Sequence, residues 1–252
     1  MALGSGRHAD EPGPARRAVT DLVRLVLPVA CAGCGRLDEP LCRACRDALP
    51  RAGWPVPDLA EHDAPPTWAG GDYAGVLQRV VLSFKDDGRH DLAPVLGRCL
   101  ARSAASALAD LGLPGPVLLV PAPSSRAAVR RRGADLTGGL AADAASWLRR
   151  RGHAVAVARV LAQRRRVRDQ AGLGANARHD NLAGALAVRQ PRAVADRRVL
   201  VVDDVVTTGA TLAAAACALE ESGAVVLGAV TIAATPRLSG FAHGVSPAPD
   251  VD

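Results

Sequence analysis

Aromatic residues are nearly missing from this chain, which has three Trp, two Phe and one Tyr among 252 residues. That leaves little from which to build a base-stacking platform and weakens a sequence-reading nucleic-acid role. No apolar run reaches membrane-spanning length, and residues 1–20 contain no secretory h-region. The expectation is a cytoplasmic protein. Lysine is rarer still: Lys85 is the single one, and every other long cation is arginine. The skew makes the surface arginines weak evidence and sets Lys85 apart. An ammonium acts on phosphate as a compact point charge, and arginine is not its equivalent. The plain alternative is one ordinary surface lysine.

What is present fits one α/β domain with a small accessory module: 252 residues, 49% hydrophobic, with a net charge of +6. That charge favours polyanionic partners only weakly. Residues 199–212 carry the strongest signal. Val199 to Val202 read as a buried parallel strand. Asp203 and Asp204 stand where it ends, and Thr207, Thr208, Gly209, Ala210 and Thr211 lead into an apolar helix. Free N–H groups at a helix start, hydroxyl donors and a glycine that permits close approach make an anion site. Adjacent carboxylates suit ribose hydroxyls or a hydrated Mg²⁺. Together they describe a sugar phosphate site; the plain alternative is a strand–turn–helix with a Thr N-cap. A P-loop is excluded because no Gly-Lys-Ser/Thr follows, and a dinucleotide fingerprint because its glycines are missing.

Strands are expected at 67–74, 117–120, 155–160, 199–202 and 225–233. Helices are expected at 76–84, 92–111 and 127–150, the last interrupted at Gly133 and at Gly138-Gly139, and after the signature strand to about Ser222. A further short helix is expected over 21–27. This alternation predicts a doubly wound parallel sheet with sites at the strand C-terminal ends. Residues 1–22 and 237–252 read as disordered tails, 23–66 as a cysteine module with a Pro-rich connector, and 67–236 as the main domain.

Cys31, Cys34, Cys42 and Cys45 form two Cys-x-x-Cys pairs separated by seven residues. Four thiolates around Zn²⁺ make a closed structural site. Disulfides compete with that reading but are disfavoured in a cytoplasmic chain, and redox chemistry usually needs one pair. Cys99 and Cys217 lie in apolar helices and read as packing residues.

Pro121-Ala122-Pro123-Ser124-Ser125-Arg126 follows a strand and therefore faces the same rim as the signature loop, with Arg130, Arg131, Arg132 and Gly133 close behind. A pyrophosphate needs cations and backbone donors of this kind; the plain alternative is a solvated helix start. Arg164, Arg165, Arg166, Arg168 and Gln170 form a mobile lid, a nucleic-acid contact or a solvated charge run.

The Asp-Asp to Thr-Gly-Ala-Thr motif resembles the phosphoribosyltransferase family. The resemblance implies that Thr207–Thr211 hold the 5-phosphate of phosphoribosyl pyrophosphate and that Asp203 and Asp204 face its ribose. Purine-specific members carry an acid where Thr207 stands, which argues against purine salvage. The four-cysteine module, Phe84-Lys85 before Gly88-Arg89, Val120-Pro121-Ala122-Pro123, Arg132-Gly133, and Gln170 through Arg178 to Asn181-Leu182 resemble the ComF family. Ala134 and Asp135 depart from its usual aromatic and Asn. The resemblance implies a type I phosphoribosyltransferase-like α/β fold with a zinc-ribbon-like module, structural Zn, and Mg with phosphoribosyl pyrophosphate. Asp203, Asp204, Lys85 and Arg132 would serve catalysis, and Thr207–Thr211, Pro123, Ser124 and Arg126 would bind substrate. It further implies a link to DNA uptake, with single-stranded DNA and a helicase-like partner. A non-catalytic adaptor that keeps the phosphate pocket is the alternative.

Overall fold

Side chains along the central strands alternate between two cores, as the period of two in a pleated sheet requires. Leu200 and Val202 enter one core, while Val199 and Val201 enter the other. The computed structural model describes residues 29–57, 59, 63–112, 114–124, 129–130, 132–164 and 185–236. Among them is a sheet whose spatial order is β1 (Trp54–Pro55), β2 (Thr67–Ala69), β9 (Val225–Thr231), β7 (Arg198–Val202), β3 (Val117–Pro121), β4 (Val155–Val157). All neighbours are parallel except β1 and β2. Both faces of the central strands are covered, which is why they read as continuous apolar runs.

One face is packed by α2 (Gly75–Asp86), α3 (Ala93–Leu111) and α4 (Leu136–Arg149). α3 ends where Gly112 turns left-handed at φ 60° and its N–H reaches the carbonyls of Leu108 and Ala109. The other face is packed by α5 (Ala210–Glu220) and an antiparallel pair, β5 (Leu161–Gln163) with β6 (Leu186–Val188). The mixed α/β architecture with a mostly parallel sheet is thus the expected one.

Several details differ from expectation, beginning with the first strand, expected over 67–74, which stops at Ala69. α4 runs through Gly138-Gly139, because Asp135 caps its start by accepting the Gly138 N–H at 3.1 Å, and both glycines lie in the first turns. The third strand stops at Val157, and the last long strand stops at Thr231. The Pro-rich connector is partly strand: β1 pairs with β2, and Val56 N–H donates to Thr67 O at 2.8 Å. The flanks of the arginine-dense stretch pair as β5 and β6. The helix expected over 21–27 lies outside the described residues.

The cysteine module carries α1 (Arg43–Asp47) and shares the α2–α4 core. Cys31, Leu41, Cys42, Cys45 and Leu49 are all buried there. Among the described residues no helix is long and apolar enough to cross a membrane.

Candidate active site and cysteine centre

β7 is buried over its last four residues, and its apolar grip delivers Asp203 and Asp204 to the C-terminal rim of the sheet. Three further segments meet there. Ala122 N–H after β3 donates to Val202 O at 2.8 Å. Asp204 O accepts from Ile232 N–H at 3.0 Å and Ala233 N–H at 3.3 Å, just after β9. β10 (Ala233–Ala234) pairs in parallel with β8 (Val205–Val206), and Asp72 bridges to Ala234. The segment after β2 is therefore sewn to the signature loop through residues 232–235.

Asp204 N–H donates to Asp203 Oδ1 at 2.8 Å, so the second acid's backbone orients the first acid's side chain. Burial, then the Asp204 carboxylate, push Asp203 up to about 7; the Asp204 N–H and Lys85 pull the other way. Lys85, in the last turn of α2, places Nζ 2.7 Å from Asp204 Oδ1. Both side chains are about four-fifths covered, at 20% and 16% exposure. The lone lysine is thus part of the site, across 119 residues of sequence.

The loop after Asp204 is open at its tip. Thr207, Thr208 and Thr211 are exposed, and Gly209 is buried at the N-cap of α5 with φ 82°. A Cβ on Gly209 would stand 2.9 Å from Ala64 Cβ, so both conformation and space demand glycine. Thr208 Oγ1 accepts the Ala210 N–H at 3.4 Å, and Thr235 Oγ1 donates to Thr207 O at 3.4 Å. A helix start with a glycine cap and exposed hydroxyls beside it can take an anion.

Arg132 Nη2 lies 3.2 Å from Asp86 Oδ1, while its buried Nε has no hydrogen-bond partner. Arg132 therefore stands beside α2 next to Lys85, with donor capacity unspent. Pro123 and Ser124 follow β3, whose last residue Pro121 pairs with Val202. Arg126, Ser125, Arg131 and the stretch Arg165 to Gln170 lie outside the described residues, as do Arg178, Asn181 and Leu182.

Residues 127–241 match the family model for the phosphoribosyl transferase domain. No curated protein matches the chain. The matched phosphoribosyl transferase domain span contains Arg132, both acids and the whole Thr207–Thr211 loop. Lys85 and the cysteine module lie before it, so the place of Lys85 at this site comes from the fold.

Sequence reasoning missed Tyr73 and Asp86, and it named Arg89 only within the Gly88-Arg89 pair of the family resemblance, with no role. The Tyr73 phenol is raised by burial, with Lys85 opposing and Asp204 and Asp86 adding to the rise. It therefore shares the field of the acidic pair. Being the lone tyrosine was its one signal.

The four cysteine sulfurs lie within 4.8 Å of one another. Tetrahedral Zn²⁺ at the usual bond length separates its sulfurs by about 3.8 Å, and Cys34 and Cys42 Sγ stand 3.7 Å apart. The cluster is able to bind zinc. Burial pushes the Cys31 thiol up, but backbone N–H groups of Cys42, Cys34 and Gly33 outweigh it and hold the thiol at about 6. Burial and the neighbouring sulfurs of Cys42, Cys34 and Cys31 push the Cys45 thiol up. Gly33 sits so close that a Cβ there would lie 2.6 Å from Cys45 Sγ.

Proposed function

We propose that this chain binds phosphoribosyl pyrophosphate with Mg²⁺ at the rim around Asp203 and Asp204 and transfers the phosphoribosyl group to an acceptor. The observation that carries this reading is the Lys85–Asp204 pair at 2.7 Å beside the open Gly209 helix start. It joins a diol-binding acid, a phosphate-binding cation and a phosphate cradle. Thr207–Thr211 would hold the 5-phosphate through backbone N–H groups and hydroxyls. Asp203 and Asp204 would accept hydrogen bonds from the ribose hydroxyls. Lys85 and Arg132 would neutralise pyrophosphate as its bond to the anomeric carbon breaks and the bond to the acceptor forms. Pro123, Ser124 and Arg126 would line the pyrophosphate side. Mg²⁺, when bound with the substrate, would supply charge neutralisation on the pyrophosphate. Catalysis of this kind rests on positioning and charge stabilisation.

The reading includes a structural zinc at Cys31, Cys34, Cys42 and Cys45. Its partition is a cysteine module and connector over 23–66 and a transferase domain over 67–236. The site is tested by calorimetric titration of phosphoribosyl pyrophosphate with and without Mg²⁺. Micromolar, Mg²⁺-dependent binding that disappears in Asp203→Asn/Asp204→Asn supports it, and unchanged affinity in that variant sinks the assignment.

The ComF resemblance favours a second reading, a cytoplasmic adaptor in DNA uptake that holds single-stranded DNA or a helicase-like partner. Strongly salt-dependent binding of single-stranded DNA, lost when Arg164–Arg168 are neutralised, would favour it. Absence of such binding would remove it.

A further inference from the structure

The helix that brings Lys85 to the acidic pair is the same helix on which the cysteine module rests. Arg79, on α2, donates from Nε to the Gly33 carbonyl between the first two cysteines. Arg89, just past the end of α2, is held by both Asp91 oxygens, at 2.9 and 2.8 Å. That clamp aims its other donors at the module: Nη1 reaches Ala30 O at 3.0 Å and Nη2 reaches Pro40 O at 3.1 Å. Ala30 precedes Cys31, and Pro40 O also receives the Ala32 N–H at 3.1 Å, so Arg89 ties together the two arms that present the cysteine pairs.

Between these anchors α2 is stiff. Val80, Val81 and Phe84 are buried to 3% exposure or less. Arg89 N–H donates back to Ser83 O at 3.2 Å, and the Phe84 and His90 rings meet edge to face at 6.2 Å. Lys85 lies inside this braced segment, four residues before Arg89 and six after Arg79. Its ammonium can meet Asp204 only where α2 puts it. A guanidinium fork locked on a carboxylate loses little freedom on binding two more carbonyls, so this fastening is preorganised.

We propose that Arg89, assisted by Arg79, is a positioning residue for the transferase site: by fastening α2 to the cysteine module it fixes where the Lys85 ammonium stands. The module then acts as a fixed mount for one cationic wall of the sugar-phosphate site. The catalytic meaning rests on the function proposed above, but the positioning can be read without substrate.

Lys85 is the single lysine, so its reactivity can be followed alone. The full-length protein is acetylated with a succinimidyl acetate, and the rate at Lys85 is read by peptide mass spectrometry. Asp204→Asn, which loses the ion pair, sets the ceiling. Arg89→Ala and Arg79→Ala are expected to raise the rate toward that ceiling, by about fivefold for Arg89→Ala. Asp91→Asn, which leaves Arg89 in place but loosens its clamp, should give a smaller rise. Cys99 is 1% exposed in the α3 core, and its inertness to a thiol reagent must persist in each variant. A rate that stays at the wild-type value in the variants that keep Cys99 protected overturns the proposal. So does an Asp204→Asn ceiling equal to wild type.

With ligands, Arg89→Ala should weaken phosphoribosyl pyrophosphate about tenfold while leaving ribose 5-phosphate unchanged. Adding Lys85→Met should make the arginine change silent. Equal loss for both ligands would show a merely structural role and overturn the proposal. Failure of the wild type to bind either ligand would remove the proposed function but leave the labelling result standing.

Discussion

Replacing Asp203 with Asn should stabilise the ligand-free protein, most at high pH. Asn keeps the oxygen that accepts the Asp204 N–H at 2.8 Å, so the local geometry survives. What disappears is a carboxylate that burial and Asp204 make reluctant to ionise, raising it from 3.8 to about 7. Because the folded-state value lies above the unfolded one, the folded protein holds a proton there that the unfolded chain releases. The group leaves stability intact below about pH 4, erodes it as pH rises, and has exacted its full cost above about pH 7. Each tenfold change in acidity corresponds to about 1.4 kcal/mol, giving an upper bound of about 4 kcal/mol. Partial solvent access and relaxation reduce the expected gain for Asp203→Asn to ~2 kcal/mol at pH 8. Urea unfolding at pH 8 should show that gain as a higher midpoint, and at pH 5 it should fall below half. The same gain at both pH values, or a loss at pH 8, would refute the electrostatic reasoning. Under the proposed function the variant is also a stable protein that no longer grips the ribose, which calorimetry would show.

Gly209→Ala should cost ~1–2 kcal/mol and reduce affinity for ribose 5-phosphate, because φ 82° and the 2.9 Å approach to Ala64 both oppose a Cβ; unfolding curves and calorimetry check this. Purified protein should contain about one equivalent of zinc, and chelation should lower the melting temperature while freeing reactive thiols. Less than about half an equivalent, with four reactive thiols, would refute the metal reading. Trp68→Phe should cost ~1–3 kcal/mol in urea unfolding, because it shrinks a buried ring and removes the indole N–H that the exposed Asp110 Oδ2 accepts at 2.7 Å.

The sheet and the acid pair were legible in the sequence because continuous apolar runs such as Val199–Val202 mean strands buried on both faces. The turn before α5 was legible as a helix start, but the cap offered from sequence was a threonine, whereas the structure has Gly209 there at φ 82°. Lys85 was marked by its rarity and by Phe84-Lys85 in the family resemblance; its partner Asp204 lies too far along the chain for any local pattern to pair them. Arg89 was marked only as part of the Gly88-Arg89 pair in the family resemblance, and nothing in its neighbourhood announces that it reaches back to Ala30 and Pro40. The course of α4 through Gly138-Gly139 was misjudged because a glycine pair signals a break, whereas the Asp135 cap outweighs that cost. β1 escaped notice because a Trp-Pro dipeptide in a Pro-rich run has no alternation to read.

That two-residue strand also covers an edge of the sheet. Beside it, β2 would otherwise offer a bare ladder of backbone donors and acceptors next to buried Thr67, Trp68 and Ala69. Trp54 and Pro55 occupy that ladder, and proline turns no donor outward. The connector that joins the cysteine module to the sheet is thereby a guard against strand-to-strand aggregation. Shortening it to bring module and domain closer would unmask a sticky edge before it disturbed either core.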